Sequence, residues 1–457
     1  MRPETVRAGA HEVGVQRLLS SYHAVPPHAT VRLAKKRSNL FRARTAPTAA
    51  GLDVSGLTGV LAVDVTGRTA DVAGMCTYSD LVAATLPFGL SPLVVPQLKT
   101  ITLGGAVTGL GIESASFRNG LPHESVLELD VLTGSGELVT ATPDNEHAEL
   151  FRGFPNSYGT LGYATRLRIE LEPVAPYVSV RHVRFADLDT LATAIAQICT
   201  ARSYEGETVD YLDGVVFSAE ESYLSLGTMT AEPGPTSDYT GQDIYYRSIQ
   251  QRTTDRLTIH DYLWRWDTDW FWCSRAFGAQ HPVVRRIWPK RLRRSSFYSK
   301  IIGMDAKYHV ADRLEARRGR PPRERVVQDV EVPLDSTAAF LHWFVHTVAI
   351  EPIWLCPVRL RGPGTWPLYP MTPDRTYVNV GFWSSVPRTP GQPGATNRLI
   401  EAQVGAVDGH KSLYSESYYS PEEFSALYGG AHYAALKQRY DPSTRLLDLY
   451  AKAVRSR

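Results

Sequence analysis

The sequence predicts an α+β protein of two or three domains. Short runs in which apolar and polar residues alternate are joined by glycine-containing turns, the pattern of antiparallel hairpins. Stretches with helical periodicity and their own caps stand between those runs. The length, 457 residues, exceeds what one core of ordinary size organises.

Residues 59–65 and 69–74 read as a hairpin around Thr66, Gly67 and Arg68. Ser79–Leu86 reads as a helix capped by Ser79 or Asp80. A second hairpin joins Val126–Leu132 to Glu137–Ala141 through Thr133–Gly136. In Tyr163–Val174, Leu167, Ile169 and Leu171 share one face, with Arg166, Arg168 and Glu170 on the other, as in a half-buried strand. Pro173 and Pro176 set a boundary after it. Leu188–Cys199 reads as a helix, and Tyr262–Trp272 holds four of the nine tryptophans. Val326–Pro333 is extended. Asp335 or Ser336 caps a helix through Ile350, ended by Pro352. Beyond the turn-rich 387–397 come a strand near Ser412–Tyr419 and a helix from Pro421 to about Tyr440.

Composition excludes several function classes. Hydrophobic residues are 43% and charged residues 21%, an ordinary globular balance. Lys+Arg 49 against Asp+Glu 47 leaves +2, so no global field draws in nucleic acid. Cys76, Cys199, Cys273 and Cys356 form no CxxC pair, which argues against a disulfide framework or zinc ribbon. His342 and His346 have zinc-pair spacing but no third ligand, so no metal is expected. The start of the chain carries no apolar leader and no stretch is long and apolar enough to span a bilayer, so a cytoplasmic protein is expected. The run Trp288–Tyr298 mixes basic and aromatic residues. It suits a lipid interface or a solvated loop packed by its aromatics, which leaves peripheral membrane contact open. Oligomeric state is not legible.

The densest signal is Pro96–Gly120, with glycines at 104, 105, 109 and 111. Such glycines bring a backbone close to something, either a ligand or a packed helix. Free amides in such a loop would suit a diphosphate. The run fits neither GxGxxG after a strand nor GxxxxGK[ST]. A second glycine cluster, Phe154–Tyr163, precedes the strongest strand.

Three runs in order carry a resemblance: Thr102-Leu-Gly-Gly-Ala-Val-Thr-Gly-Leu-Gly-Ile-Glu-Ser114, Asp130-Val-Leu-Thr-Gly-Ser-Gly-Glu-Leu-Val139 and Gly159-Thr-Leu-Gly-Tyr163. With Val326–Asp329, Pro352–Pro357 and Leu413–Tyr418, they resemble the vanillyl-alcohol-oxidase (PCMH-type) flavoproteins over nearly the whole chain. Within that superfamily they are most similar to the delta-24-sterol reductase (seladin-type) family. The resemblance implies a split two-subdomain PCMH-type FAD-binding domain with an inserted α+β cap on an antiparallel sheet. FAD-binding residues 1–175, a cap at 176–407 and a returning segment at 408–457 are expected. The diphosphate would lie near Thr102, Gly104 and Gly105. Gly109, Gly111, Ile112, Ser114, Ser116 and Gly120 would follow the flavin. Gly159, Gly162 and Tyr163 would lie on its adenine side or under the ring. The family's early glycine-rich phosphate loop falls on Ala34–Arg42, which has no glycine; Lys36, Arg37 and Ser38 would hold phosphate by charge and hydroxyl. No histidine or cysteine stands there, so non-covalent FAD is expected.

The resemblance implies reduction of a C=C bond in a hydrophobic, sterol- or isoprenoid-like substrate, with NADPH or NADH recharging the flavin. An alcohol oxidase or dehydrogenase, acting for example on a lipid-linked sugar, and a non-catalytic lipid binder are the alternatives. Reduction needs an acid in a dry pocket. Glu113, Tyr414 and Glu416 are the candidates, the last two expected on one strand face. A structural salt bridge is the plainer reading of each carboxylate. Tyr262, Trp264 and Trp354 are candidates for the substrate wall, against ordinary core packing.

Overall fold

A computed structural model describes residues 3–35, 49–308, 313, 317, 319 and 321–454. The expected phosphate holders Lys36, Arg37 and Ser38 lie outside the described residues.

The alternating runs build two antiparallel sheets. In the smaller, Val60–Asp64, Thr69–Ala73, Tyr163–Pro173, Val126–Leu132 and Leu138–Ala141 lie side by side in that order, and Leu90–Pro92 adds to Tyr163–Pro173. Leu167, Ile169 and Leu171 point into its core, while Arg166 on the opposite face reaches Asp71 and Asp130 at 2.6 and 2.7 Å. The helix Tyr78–Thr85 follows the first hairpin, but Thr77 caps it, accepting from the Asp80 amide. Thr77 precedes the expected caps because its backbone is extended there.

The larger sheet orders its eight strands as Thr254–Thr258, Tyr177–Phe185, Glu221–Thr230, Tyr211–Ser218, Ile353–Arg359, Thr376–Pro387, Arg323–Pro333 and His410–Lys411. Every pair is antiparallel. The fold is thus α+β. Strand alternation gives this sheet two unlike faces. One face sends Leu212, Leu224, Val330, Leu355 and Val380 under the helices Leu188–Ala201, Thr337–Thr347 and Ala395–Ala406. The other carries Asp213, Trp354, Cys356, Asn379, Gly381, Trp383, Asp329 and Glu331. That inner face shares its core with the smaller sheet, through Tyr211, Trp354 and Tyr377 on one side and Leu103, Val107 and Tyr158 on the other.

Two expectations near the end are corrected. Residues 412–419 are not a strand; sheet pairing stops at Lys411, and a turn follows before the isolated bridge between Ser417 and Val454. The expected helix 421–440 is two helices, Pro421–Leu427 and Gly430–Tyr440. Gly429 before the second helix and Gly430 at its first position have φ of 85° and 31°, which breaks the helical run. The second helix and the segment after it tie back to the smaller sheet, with Lys437 Nζ donating to Thr160 O and Lys452 Nζ to Tyr158 O.

Candidate active site

The glycine run starts as a short helix, Leu103–Gly109, capped by Thr102. Its first amides are already engaged: Leu103 N–H donates to Cys76 O, Gly104 N–H to Gly74 O, and Gly105 N–H to the Thr102 hydroxyl. The double-glycine amides thus have partners within the protein in this structure. Gly104 serves packing, since a Cβ there would stand 2.7 Å from Gly74 O. What the segment offers is a face. Gly105, Thr108, Gly109, Gly111 and Ile112 are half-buried, while Gly104 and the residues from Glu113 to Phe117 are buried. Positions 105, 108 and 109 share one side of that helix, and Gly111 and Ile112 follow in the non-helical segment after it. Lys35 Nζ stands at its start, 3.1 Å from Thr102 Oγ1.

Buried polar atoms without partners occur in the segments that pack on this run. Both ring nitrogens of His123 and both side-chain polar atoms of Gln97 are unpartnered, as are Ser157 Oγ and Asn156 Oδ1. Their neighbours Pro96 and Pro122 are the groups a Cβ on Gly111 would meet, and Tyr158 is the one a Cβ on Gly109 would meet. Burial holds His123 neutral, with its pKa lowered to about 3. The half-buried, side-chain-poor side of the run, with the Lys35 ammonium at its start, leaves room for a nucleotide and a cation for its phosphates, so the residues fit FAD. Of the other expected holders, Ser116 Oγ accepts from the Glu113 amide, and Gly120 packs on Glu124. Gly159 packs on Tyr163, and Gly162 on Val131 and Leu132. Tyr163 donates weakly to Val31 O at 3.5 Å.

Glu113 is buried at the end of the run. Its carboxylate accepts from the Ser114 hydroxyl and the Ala115 amide, and Arg265 Nη1 lies 3.8 Å away. Burial raises its pKa, opposed first by Arg265. Arg265 also donates to Asp213 Oδ2 at 2.8 Å, and that oxygen further accepts from the Trp266 and Trp354 indoles at 3.0 and 3.2 Å. The Arg265 guanidinium lies 3.9 Å from the Tyr262 ring centroid, and the Tyr262 hydroxyl is 3.1 Å from Ser114 Oγ. Tyr262 and Trp354 thus join one network with Glu113. Trp264 stands apart, with Lys99 Nζ 5.8 Å from its ring centroid. Removing Arg265 would leave two carboxylates buried without their cation. Arg265→Met should therefore destabilise the fold by about 3–5 kcal/mol, read by urea unfolding.

Tyr414 lies against the inner face of the larger sheet. Its hydroxyl accepts from Trp383 Nε1 at 3.1 Å and also pairs with Asp329. Asn379 Nδ2 donates to Asp329 Oδ1 at 3.1 Å. Asp329, Trp383 and Tyr414 are half-buried amid a buried surround, so they line open space. Tyr158 connects this wall to the glycine face: its hydroxyl donates to Gly109 O at 2.8 Å and its ring electrostatically neighbours Tyr414. Burial pushes Asp329 up to about 6 and Tyr414 well above the usual phenol range. Glu416 does not share Tyr414's face. The chain turns between them, and the Glu416 carboxylate accepts from Tyr418 at 2.9 Å. Sequence reasoning misses Asp329, Asn379, Arg265 and Asp213; the signal that could find Asn379 and Asp213 is a polar residue along an otherwise apolar strand.

Asp329 makes stability pH-dependent. Its folded pKa exceeds the ordinary 3.8, so the folded state binds more protons between about pH 4 and 6 and loses stability as pH rises through that window. Asp329→Asn should raise stability at neutral pH by about 1–3 kcal/mol and leave it nearly unchanged below pH ~4, measured by chemical denaturation at both values.

Among the described residues no group of acids, histidines or cysteines is placed to hold a metal, and no helix is long and apolar enough to cross a membrane. His342 Nε2 meets Asp189 at 3.0 Å.

A family model for an FAD binding domain matches residues 23–142. The human Delta(24)-sterol reductase is 24% identical over 413 residues, 87% of this chain and 76% of that protein. The Caenorhabditis elegans Delta(24)-sterol reductase homolog is 25% identical over 419 residues, 87% of this chain and 77% of that protein. Cytokinin dehydrogenase 6 of rice is 35% identical, but over 146 residues, 32% of this chain and 27% of that protein. The likeness to the first two reaches well beyond the residues matched by the domain model and takes in both sheets. The side-chain-poor run from Gly105 to Gly109 lies inside the matched region, and the chain is similar over most of its length to FAD-dependent reductases; it is an FAD-dependent oxidoreductase.

Proposed function

We propose that the chain reduces a C=C bond of a hydrophobic, sterol- or isoprenoid-like molecule. The observation that carries this reading is the Asp329–Tyr414 pair, an acid held partly protonated near neutrality beside a phenol, on an inner sheet face walled by aromatics. The likeness to Delta(24)-sterol reductases supports the substrate class. We read residues 1–175 with a segment returning after 408 as the FAD-binding part, and 176–407 as the cap.

Bound FAD, held non-covalently along the run from Gly105 with Lys35 toward its phosphates, would supply the hydride. Proton delivery falls to this chain. Tyr414 is too weak an acid to part with its proton alone, so its hydroxyl gives a proton to the substrate carbon while taking one from the Asp329 carboxyl. Trp383 Nε1 fixes the direction of that hydroxyl. Trp354, Trp383 and Phe271, with Phe271 and Trp383 stacked at 4.3 Å, exclude water and face the developing positive charge. Glu113, clamped by Arg265, positions the loop beside the flavin.

The relay requires Asp329 to be protonated, so kcat should fall as pH rises through a limb at or above about 6. Asp329→Asn should abolish that limb along with most of the rate; a limb that persists in the variant would rule the relay out. NADPH or NADH is the proposed donor. Anaerobic addition of either should bleach the visible flavin band, and bleaching by an alcohol instead would favour the dehydrogenase reading. The rice cytokinin dehydrogenase match covers 32% of the chain, so it supports the flavin-binding part alone.

A further inference from the structure

The segment Pro282–Met304 holds the three most exposed large apolar side chains among the described residues: Ile287 at 75%, Val283 at 64% and Met304 at 56%. Val283 and Ile287 are four apart on the helix Pro282–Ile287, so they share one face. Between residues 282 and 300 the chain has seven basic side chains and no acidic one. Two of the seven are structural. Arg285 makes two contacts to Asp269, at 2.7 and 3.1 Å, and Arg293 donates to the carbonyls of Thr240, Gly241 and Trp288. The remaining five, Arg286, Lys290, Arg291, Arg294 and Lys300, are exposed. Lys290 has an acidic neighbour in Asp238, at 3.9 Å, itself on the surface.

The segment is a built surface, not a loose loop. Ser295 N–H donates to Asp267 O, the Ser295 hydroxyl donates to the Asp267 carboxylate, and Tyr298 is fully buried with its ring stacked on Phe277. The two inward arginines anchor it while the other cations and the apolar side chains point out. Solvation explains exposed cations, but it opposes exposing isoleucine, valine and methionine beside them. A polyanion such as nucleic acid would use the cations and leave the apolar side chains wet.

We propose that this surface docks on an anionic lipid bilayer, with Val283, Ile287 and Met304 inserted among the acyl chains and the five exposed cations against the headgroups. The anchoring contacts run to Asp267 and Asp269, next to Arg265 and Trp266 of the active-site wall, so docking would bring that wall close to the membrane. Such docking is separate from the proposed reaction and independent of the substrate.

Flotation of the flavin-loaded protein with vesicles tests it. Wild type should float with phosphatidylcholine vesicles containing roughly 30 mol % phosphatidylglycerol, bind pure phosphatidylcholine at least about tenfold more weakly, and be released by high salt. Val283→Asp with Ile287→Asp, and separately Arg286→Glu with Arg291→Glu, should each weaken binding about tenfold or more with the visible flavin band retained. Absence of wild-type flotation on anionic vesicles overturns the proposal. Binding that the aspartate pair leaves unchanged overturns it too, as does retention on duplex DNA without vesicle binding. Binding is read without substrate, so failure of the reductase reading would leave this result standing.

Discussion

Tyr414→Phe is expected to lower kcat by about 10²–10⁴-fold, the range lost when a positioned acid is removed. Phenylalanine keeps the ring and its packing but deletes the hydroxyl that links Asp329 to the open cleft. Flavin content and KM should stay near wild type, because the ring contributes shape and the hydroxyl contributes the proton. Flavin reduction by the pyridine nucleotide should also persist, since no proton passes through Tyr414 in that half-reaction. A variant that keeps full turnover would show that another group supplies the proton, with Glu113 the next candidate. A variant that loses its flavin would show that Tyr414 acts structurally.

Gly105→Leu is expected to give a protein that folds but purifies colourless. The side chain would rise from the half-buried face beside Lys35, where a Cβ already stands 3.6 Å from the Lys35 ammonium and 2.8 Å from Thr102 Oγ1. It would cover the place where the nucleotide approaches the helix and crowd the cap. Thr85→Val is the matched control: away from this face, it loses the bonds from its buried hydroxyl to Leu81 O and Val82 O, and should stay yellow with a stability change of about 1 kcal/mol. Normal flavin content in Gly105→Leu would remove this face from the binding site.

The elements most legible in the sequence are those whose pattern reports one local fact. The hairpins at 60–73 and 126–141 and the strand Tyr163–Pro173 come from alternation, which survives any packing partner. The glycine run is legible as a close approach, but glycine does not say what approaches. At Gly104 the partner is the Gly74 carbonyl; at Gly105 and Gly109 part of the face stays open. Asp329 and Glu331 alternate with Val330 and Val332, so alone they read as the wet face of a half-buried strand. The fold turns that face toward the smaller sheet, and a solvated edge becomes a cleft wall. Asp213 is hidden in the same way between Leu212 and Gly214. Tyr414 and Glu416 would share a face only on a strand that does not form, because sheet pairing ends at Lys411, whose ammonium is buried against Glu401 at 2.6 Å.

Whether the chain reduces an alkene is decided by anaerobic mixing of the chemically reduced holoprotein with a sterol bearing a side-chain double bond. The visible flavin band should return as the alkene is saturated, and Tyr414→Phe should slow this return without changing the starting spectrum. A reduced flavin that stays bleached with every alkene, while the oxidised holoprotein is bleached by an alcohol, would contradict the proposed reduction.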